Sequence, residues 1–186
     1  MVAVAGTFDE RAVLELAADR SPGLTTLAHG ASVLGRSAII VPLVLVSALV
    51  VATRRERVLR AWAPVVSVAG ALVLYNVDKL LVARPRPVGH RLEMISSASF
   101  PSGHATQVTA FYVSLLLACW PLISRRVVRV TLAAVAMLLV AAIAASRVYL
   151  GVHYPSDVAA GAVLGGVWAA TVWALLVRPL LASGSS

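Results

Sequence analysis

Between residues 36 and 178 the chain alternates long apolar runs with short polar breaks. An α-helix rises about 1.5 Å per residue, so about 20 apolar residues cross the roughly 30 Å hydrocarbon layer of a bilayer. Five runs approach or reach that length, near residues 36–53, 61–82, 104–121, 128–146 and 157–178. The pattern predicts an all-α fold, an integral membrane helical bundle of about five transmembrane helices. Ahead of it, residues 8–34 mix Asp9, Glu10, Arg11, Glu15, Asp19 and Arg20 with Val13, Leu14, Leu16 and Leu27. That mixture predicts an amphipathic helix at the membrane interface, with a second half free to extend the first span. The organisation expected is one domain over 1–186: an interfacial segment (1–35), the bundle (36–178) and a short tail (179–186).

One connection stands apart, ARPRPVGHRLEMISSASFPSG at residues 83–103, where three prolines and several serines break any helical pattern. Loops of that length in a compact protein are usually functional. Spans alternate in direction, so the end of the second, the start of the third, the end of the fourth and the start of the fifth share one membrane face. The polar residues concentrate at those four places: Lys79, Arg84 and Arg86; Ser102 and His104; Ser146 and Arg147; His153 and Asp157. Dispersed segments are therefore expected to build a single polar site at one interface.

The opposite face receives RRERVLR (54–60), ISRRVVR (123–129) and Arg178. With Lys79, Arg86 and Arg147 set aside as site residues, the positive-inside rule turns those loops to the cytoplasm. The site then faces outward from the cytoplasmic membrane.

Composition narrows the class further. Apolar residues make up 60% of the chain and charged residues 13%, with a mean hydropathy of +0.89, which excludes an ordinary soluble domain. The net charge of +8 is carried almost wholly by arginine, Lys79 being the only lysine. In a membrane protein this charge reads as topology and phosphate binding, not as a nucleic-acid surface. The lone Cys119, inside TAFYVSLLLACW, can form no intrachain disulfide and is expected to pack. The N-terminal sequence lacks the basic start and apolar stretch of a cleaved signal peptide, so insertion is expected to rely on the spans.

Three short stretches carry candidate chemistry. In the first, Lys79 precedes Arg86 by seven residues, and both reach one anion only if the chain bends after the helix, a break that Pro85 and Pro87 supply. The second, PSGH (101–104), precedes an apolar helix and offers Ser102, Gly103 and orphan backbone N–H groups to an anion. The third, from Ser146 to Asp157, sets Asp157 four residues after His153, near enough for the carboxylate to fix the imidazole tautomer. Each has a plainer reading when taken alone: cations snorkelling to headgroups, an ordinary serine N-cap, and a capping aspartate beside a packed histidine.

Together the stretches read K-x6-RP, PSGH and SR-x5-H-x3-D. Here the chain resembles the type 2 phosphatidic acid phosphatase superfamily, in its membrane lipid-phosphatase branch, without a departure in any motif and with one span fewer than many membrane members. The resemblance implies hydrolysis through a phosphohistidine on His153, oriented by Asp157, with His104 as general acid and later as the group that activates water. It implies that Lys79, Arg86, Arg147, Ser102 and Gly103 hold the phosphate, with no metal and no cofactor. The partner implied is a membrane lipid phosphate, whether a polyprenyl diphosphate such as undecaprenyl diphosphate, phosphatidic acid, phosphatidylglycerophosphate or a phosphorylated polyprenyl sugar. It sets no oligomeric state. A lipid phosphotransferase using the same site is the alternative. A haloperoxidase fits poorly with the spans and small size, and a lipid or anion transporter fits poorly with charges clustered at one interface. Arg84 and Arg91 are expected to guide a second phosphate or to contact headgroups. Asp78, His29, His90, Tyr149 and Tyr154 are read as structural or interfacial.

Overall fold

The computed structural model describes residues 8–52 and 58–179. Most of the RRERVLR loop, the first seven residues and nearly all of the 179–186 tail lie outside the described residues. The helices are α1 (Phe8–Ala18), α2 (Pro22–Leu34), α3 (Ser37–Val51), α4 (Val58–Val82), α5 (Gly103–Cys119), α6 (Arg126–Tyr149) and α7 (Pro155–Val172). A 3-10 turn, Trp120–Leu122, follows α5, and α7 runs on through a π turn, Trp173–Val177. Among the described residues there is no strand.

Four segments are long and apolar enough to cross a membrane: Arg60–Val82, Gly103–Leu122, Arg126–Tyr149 and Pro155–Val177. They coincide with the second to fifth spans expected from the apolar runs. The first differs. With 15 residues, α3 is only about 22 Å long, and it meets the same criterion only together with α2, from which it is bent by 49°. The segment read as interfacial thus divides, α1 remaining amphipathic while α2 joins the bent span. Ser21 starts α2 by accepting the Leu24 N–H at 3.3 Å, with Pro22 in the first turn. Gly35 ends it, and a Cβ there would stand 2.6 Å from Ile143 Cγ2 and 2.8 Å from His104 Cδ2. Only glycine lets the bend close onto α6 and onto the His104 ring.

Helix α5 is the axis of the bundle, half of its span being buried. In lipid there is little hydrophobic drive between helices, so association depends on close fit and hydrogen bonds. The fit of α5 to α7 is backbone to backbone: a Cβ on Gly165 would collide with the Thr106 carbonyl, and one on Gly161 would lie 2.6 Å from the Ser102 carbonyl. Ile40, Val44, Val68, Val108, Phe111, Val140 and Ile143 pack α3, α4, α5 and α6 together, while Leu49, Val73, Leu138 and Val163 face outward. Tyr149 is more than an interfacial aromatic. Its carbonyl accepts Arg20 Nη2 at 2.7 Å, and its hydroxyl meets Thr25 Oγ1 at 3.2 Å, so the end of α6 anchors the start of α2.

Gly165→Ala is expected to destabilise the protein by about 1–3 kcal/mol, because the added methyl overpacks a contact that cannot yield. Gly166→Ala, whose Cβ meets only Thr109 Cγ2 at 3.6 Å, should be tolerated. Thermal unfolding of the two purified variants in detergent checks the contrast.

Candidate active site

A sharp turn begins the site. Helix α4 stops at Val82, Ala83 takes a positive φ of 47°, and the alternation Arg84-Pro85-Arg86-Pro87 keeps the chain extended, because a residue before proline is excluded from the helical region. Arg86 enters a cavity of about 220 Å³ at the ends of the helices, and Arg84 does not.

That cavity is lined by Lys79 from the end of α4, Gly103 and His104 from the start of α5, Arg147 from the end of α6, His153 from the turn before α7, and Arg86. Six of the eight residues expected at the site therefore share one space, supplied by the four segment ends that the alternation of spans brings to one face. Ser37, Tyr75, Asn76 and Gln107 form an uncharged wall. Asp157 lies behind His153, fully buried. Ser102 does not line the cavity. It is the N-cap of α5, accepting the Ala105 N–H at 3.5 Å, while its own N–H goes to the Asp157 carbonyl at 3.0 Å.

The cations bind the long loop as well as the cavity. Arg86 donates to the carbonyls of Val152 (2.6 Å), Ser97 (2.7 Å) and Ala98 (3.1 Å), and Lys79 donates to the Ala98 carbonyl. Buried Arg147 donates to Ser32 Oγ and, at 2.9 Å, to Glu93 Oε2, leaving its Nε buried without a partner. Burial raises the Glu93 carboxyl, but Arg147, Arg36 and His29 more than offset this and hold it below its ordinary value.

The tautomer of His153 follows from its neighbours. Arg86 Nη1 stands 3.2 Å from His153 Nε2, and a guanidinium has donors only. Nε2 is therefore the unprotonated nitrogen. Nδ1 carries the proton and faces Asp157 Oδ2 and Ser99 Oγ, each at 3.5 Å, while Ser99 Oγ donates to the same Asp157 oxygen at 2.5 Å. Burial, with help from Arg86 and Arg147, pushes the imidazole down to about 4 against the opposing pull of Asp157. The ring is neutral at pH 7, with Nε2 accepting from Arg86. Arg86, lowered to about 10 by burial first and then by Arg147 and Arg91, stays charged. His104 bonds the Ser32 backbone and leaves Nε2 buried and unpartnered.

Three features escaped the sequence reading. Ser99, fully buried between His153 and Asp157, was one serine among several in the loop. Glu93 is the only acidic residue of that loop, a signal for a partner to the surrounding arginines. Arg84 was expected to meet phosphate or headgroups but instead pairs with Asp157 and Asp9, each within 2.8 Å. His29 lies 3.4 Å from Glu93, in keeping with a structural role, and Asp78 is not among the residues lining the cavity. Among the described residues no group of three or more His, Cys, Asp or Glu side chains is placed to hold a metal ion. A larger crevice of about 570 Å³ between α1, α2 and α6 is walled mainly by Leu16, Leu24, Leu27, Ala28 and Ala142, and has no constellation of catalytic groups.

Comparison with known proteins agrees with this geometry. The model of the PAP2 superfamily matches residues 60–179, which contain all three motifs. The decaprenylphosphoryl-5-phosphoribose phosphatase of Mycobacterium tuberculosis is 37% identical over 159 residues, covering 81% of this chain and 80% of that protein. Phosphatidylglycerophosphatase B of Bacillus subtilis is 30% identical over 158 residues, covering 78% and 72%. The crystal structure of a transmembrane PAP2 type phosphatidylglycerolphosphate phosphatase from Bacillus subtilis superposes with a TM-score of 0.79 at 26% identity, covering 89% of this chain and 83% of that one. Aquifex aeolicus LpxE shares the fold, with a TM-score of 0.72 at 22% identity over 91% of this chain and 97% of that one. The chain belongs to the PAP2 superfamily and is a multi-pass membrane phosphatase of that family.

Proposed function

We propose that the protein hydrolyses a membrane lipid phosphate or diphosphate, without a metal ion, through a phosphohistidine on His153 at the outer face of the cytoplasmic membrane. The observation that carries this reading is the convergence of His153, Lys79, Arg86, Arg147 and His104 on one cavity, with His153 Nε2 3.2 Å from Arg86 Nη1.

Phosphoryl transfer depends mainly on positioning and on neutralising charge at the equatorial oxygens. The three cations supply that charge, already fixed by the contacts that bury them, so little reorganisation accompanies reaction. Gly103 lines the cavity beneath the ring of Tyr75, and a Cβ there would stand 3.0 Å from Tyr75 Cε2, so glycine leaves that ring its place in the wall. Nε2 attacks phosphorus, forming the N–P bond as the P–O bond to the leaving group breaks. The leaving oxygen takes the electron pair and a proton from His104, which acquired that proton from the incoming phosphate. Asp157 stabilises the positive charge that develops on the His153 ring. Water then loses a proton to His104 and attacks phosphorus, the N–P bond breaks, and phosphate leaves with Nε2 restored, taking the proton back from His104 as it goes. The relatives named above act on lipid-linked phosphates, and the position of the cavity at the helix ends fits a headgroup held at the bilayer surface.

His153→Ala is expected to abolish phosphate release from dioctanoyl phosphatidic acid and from polyprenyl phosphates, diphosphates and phosphorylated polyprenyl sugars. Rapid quenching of the wild type with a 32P-labelled substrate should trap an acid-labile phosphoenzyme that His153→Ala lacks. Arg86→Lys should lose roughly 100-fold or more, since a point charge cannot reproduce the guanidinium fork. EDTA should leave activity unchanged. Residual label on His153→Ala, or loss of activity restored by a divalent ion, contradicts the mechanism.

The pH dependence has a definite sign. Falling pH protonates Nε2 and removes the nucleophile, and the depressed value near 4 delays that loss. The acid limb of kcat/KM, corrected for substrate ionisation, should therefore fall well below the ordinary histidine value of about 6.5. A limb at or above that value contradicts a buried, neutral His153.

A further inference from the structure

Arg84 is the one cation of the K-x6-RP stretch that does not line the cavity. Its side chain runs instead behind the catalytic turn. Nη1 lies 2.7 Å from Asp157 Oδ1 and 2.7 Å from Ser156 Oγ, and Nη2 lies 2.8 Å from Asp9 Oδ2. The guanidinium carbon stands 4.2 Å from the centroid of the Tyr154 ring. The backbone of the same residue acts too, since the Arg84 carbonyl accepts the Ser99 N–H at 2.8 Å and Ser99 Oγ donates to the other Asp157 oxygen at 2.5 Å. One residue thus engages both carboxylate oxygens, Oδ1 directly and Oδ2 through Ser99, while the Tyr154 N–H also donates to Oδ2 at 3.0 Å.

Asp9 completes the arrangement from α1. It accepts the Ser156 N–H at 3.0 Å and also the Ser156 hydroxyl. That N–H is one of the orphan donors in the first turn of α7, so a residue far away in sequence caps the helix that begins beside His153. Burial raises the Asp9 carboxyl, but the bonds from Ser156 and Arg84 outweigh burial and hold it below its ordinary value.

We propose that Arg84, itself held by Asp9, is a positioning residue for the reaction: it clamps Asp157 so that Asp157 aims His153, which makes α1 a working part of the site. This rests on the roles given above to His153 and Asp157. A buried carboxylate held at one oxygen can still rotate, whereas one held at both cannot. Only a planar fork on a long stem reaches Asp157 and Asp9 at once, which an ammonium group cannot do. The charge matters as well. Around the His153–Asp157 pair stand Lys79 from α4, His104 from α5, Arg147 from α6, and Arg84 and Arg86 from the loop. Arg84 is the one among these cations with a hydrogen bond to Asp157 among the described residues. Without it the carboxylate is less compensated, the protonated form of the adjacent imidazole is favoured, and the acid limb of the pH profile moves up.

The test compares Arg84→Gln, Arg84→Lys, Asp9→Ala, His153→Ala and wild type, purified in detergent, by thermal unfolding and by phosphate release from dioctanoyl phosphatidic acid across pH. Arg84→Gln should lower kcat about 10-fold or more with KM within about twofold, and move the acid limb of kcat/KM to higher pH. Arg84→Lys should restore the limb and only part of kcat, and Asp9→Ala should lower kcat about threefold. Wild-type kcat with an unmoved limb in folded Arg84→Gln overturns the proposal. A rise in KM at constant kcat overturns it too, making Arg84 a substrate contact. If Arg84→Gln does not fold, Asp9→Ala decides: loss of kcat at unchanged KM supports the clamp, and wild-type kcat overturns it. His153→Ala separates the two levels. Activity in that variant defeats the nucleophile assignment, whereas an inactive His153→Ala beside an unaffected Arg84→Gln defeats the clamp alone.

Discussion

Crowded positive charge at one end of an apolar bundle has to be compensated, and the way this chain does so organises everything around it. Lys79, Arg84, Arg86 and Arg147 gather where four helices end, and a buried charge without partners is very costly. Carboxylates serve two of them, Asp157 and Asp9 for Arg84 and Glu93 for Arg147. For Lys79 and Arg86 the partners are backbone carbonyls of the 83–102 loop and of Val152. The loop is therefore wrapped onto the cations and shaped by them. The same contacts hold the guanidinium and ammonium groups at the cavity before any ligand arrives, which is the preorganisation that electrostatic catalysis requires.

The fold was legible in the sequence wherever a single physical rule dominated. Runs 61–82, 104–121, 128–146 and 157–178 are predominantly apolar, with their charged residues near the ends, and a spanning helix satisfies their backbone in lipid. The bend at Gly35 was not legible, because it depends on how closely α2 approaches Ile143 and His104, a contact distant in sequence. The site divides in the same way. Residues proposed here to meet phosphate, such as Arg86, His104 and His153, stand in short stretches whose order and spacing single them out. Residues that serve those residues do not. Ser99, Glu93 and Asp9 act through partners 54 or more positions away, and an isolated serine or acid carries no spacing that names so distant a partner. Ser102 shows the converse: its place in PSGH was read for phosphate, and the structure gives it to the N-terminus of α5.

Placing the site on helix ends has a mechanical consequence. Gly161 and Gly165 bring α7 against α5 so closely that the Ser102 and Thr106 carbonyls touch the α7 backbone, and the Ser102 N–H is bonded to the Asp157 carbonyl. The PSGH turn and the His153–Asp157 turn are thereby fixed to each other by main chain. In the proposed reaction the two histidines work from those two turns, so their mutual placement is set by helix packing and not by flexible side chains.

The account rests on which nitrogen of His153 carries the proton. Nitrogen-15 NMR of histidine-labelled protein in detergent at pH 7, with the His153 signals identified by their absence from His153→Gln, reads this directly. The account predicts a neutral ring with the proton on Nδ1 and an unprotonated Nε2. A proton on Nε2, or an imidazolium at that pH, contradicts it.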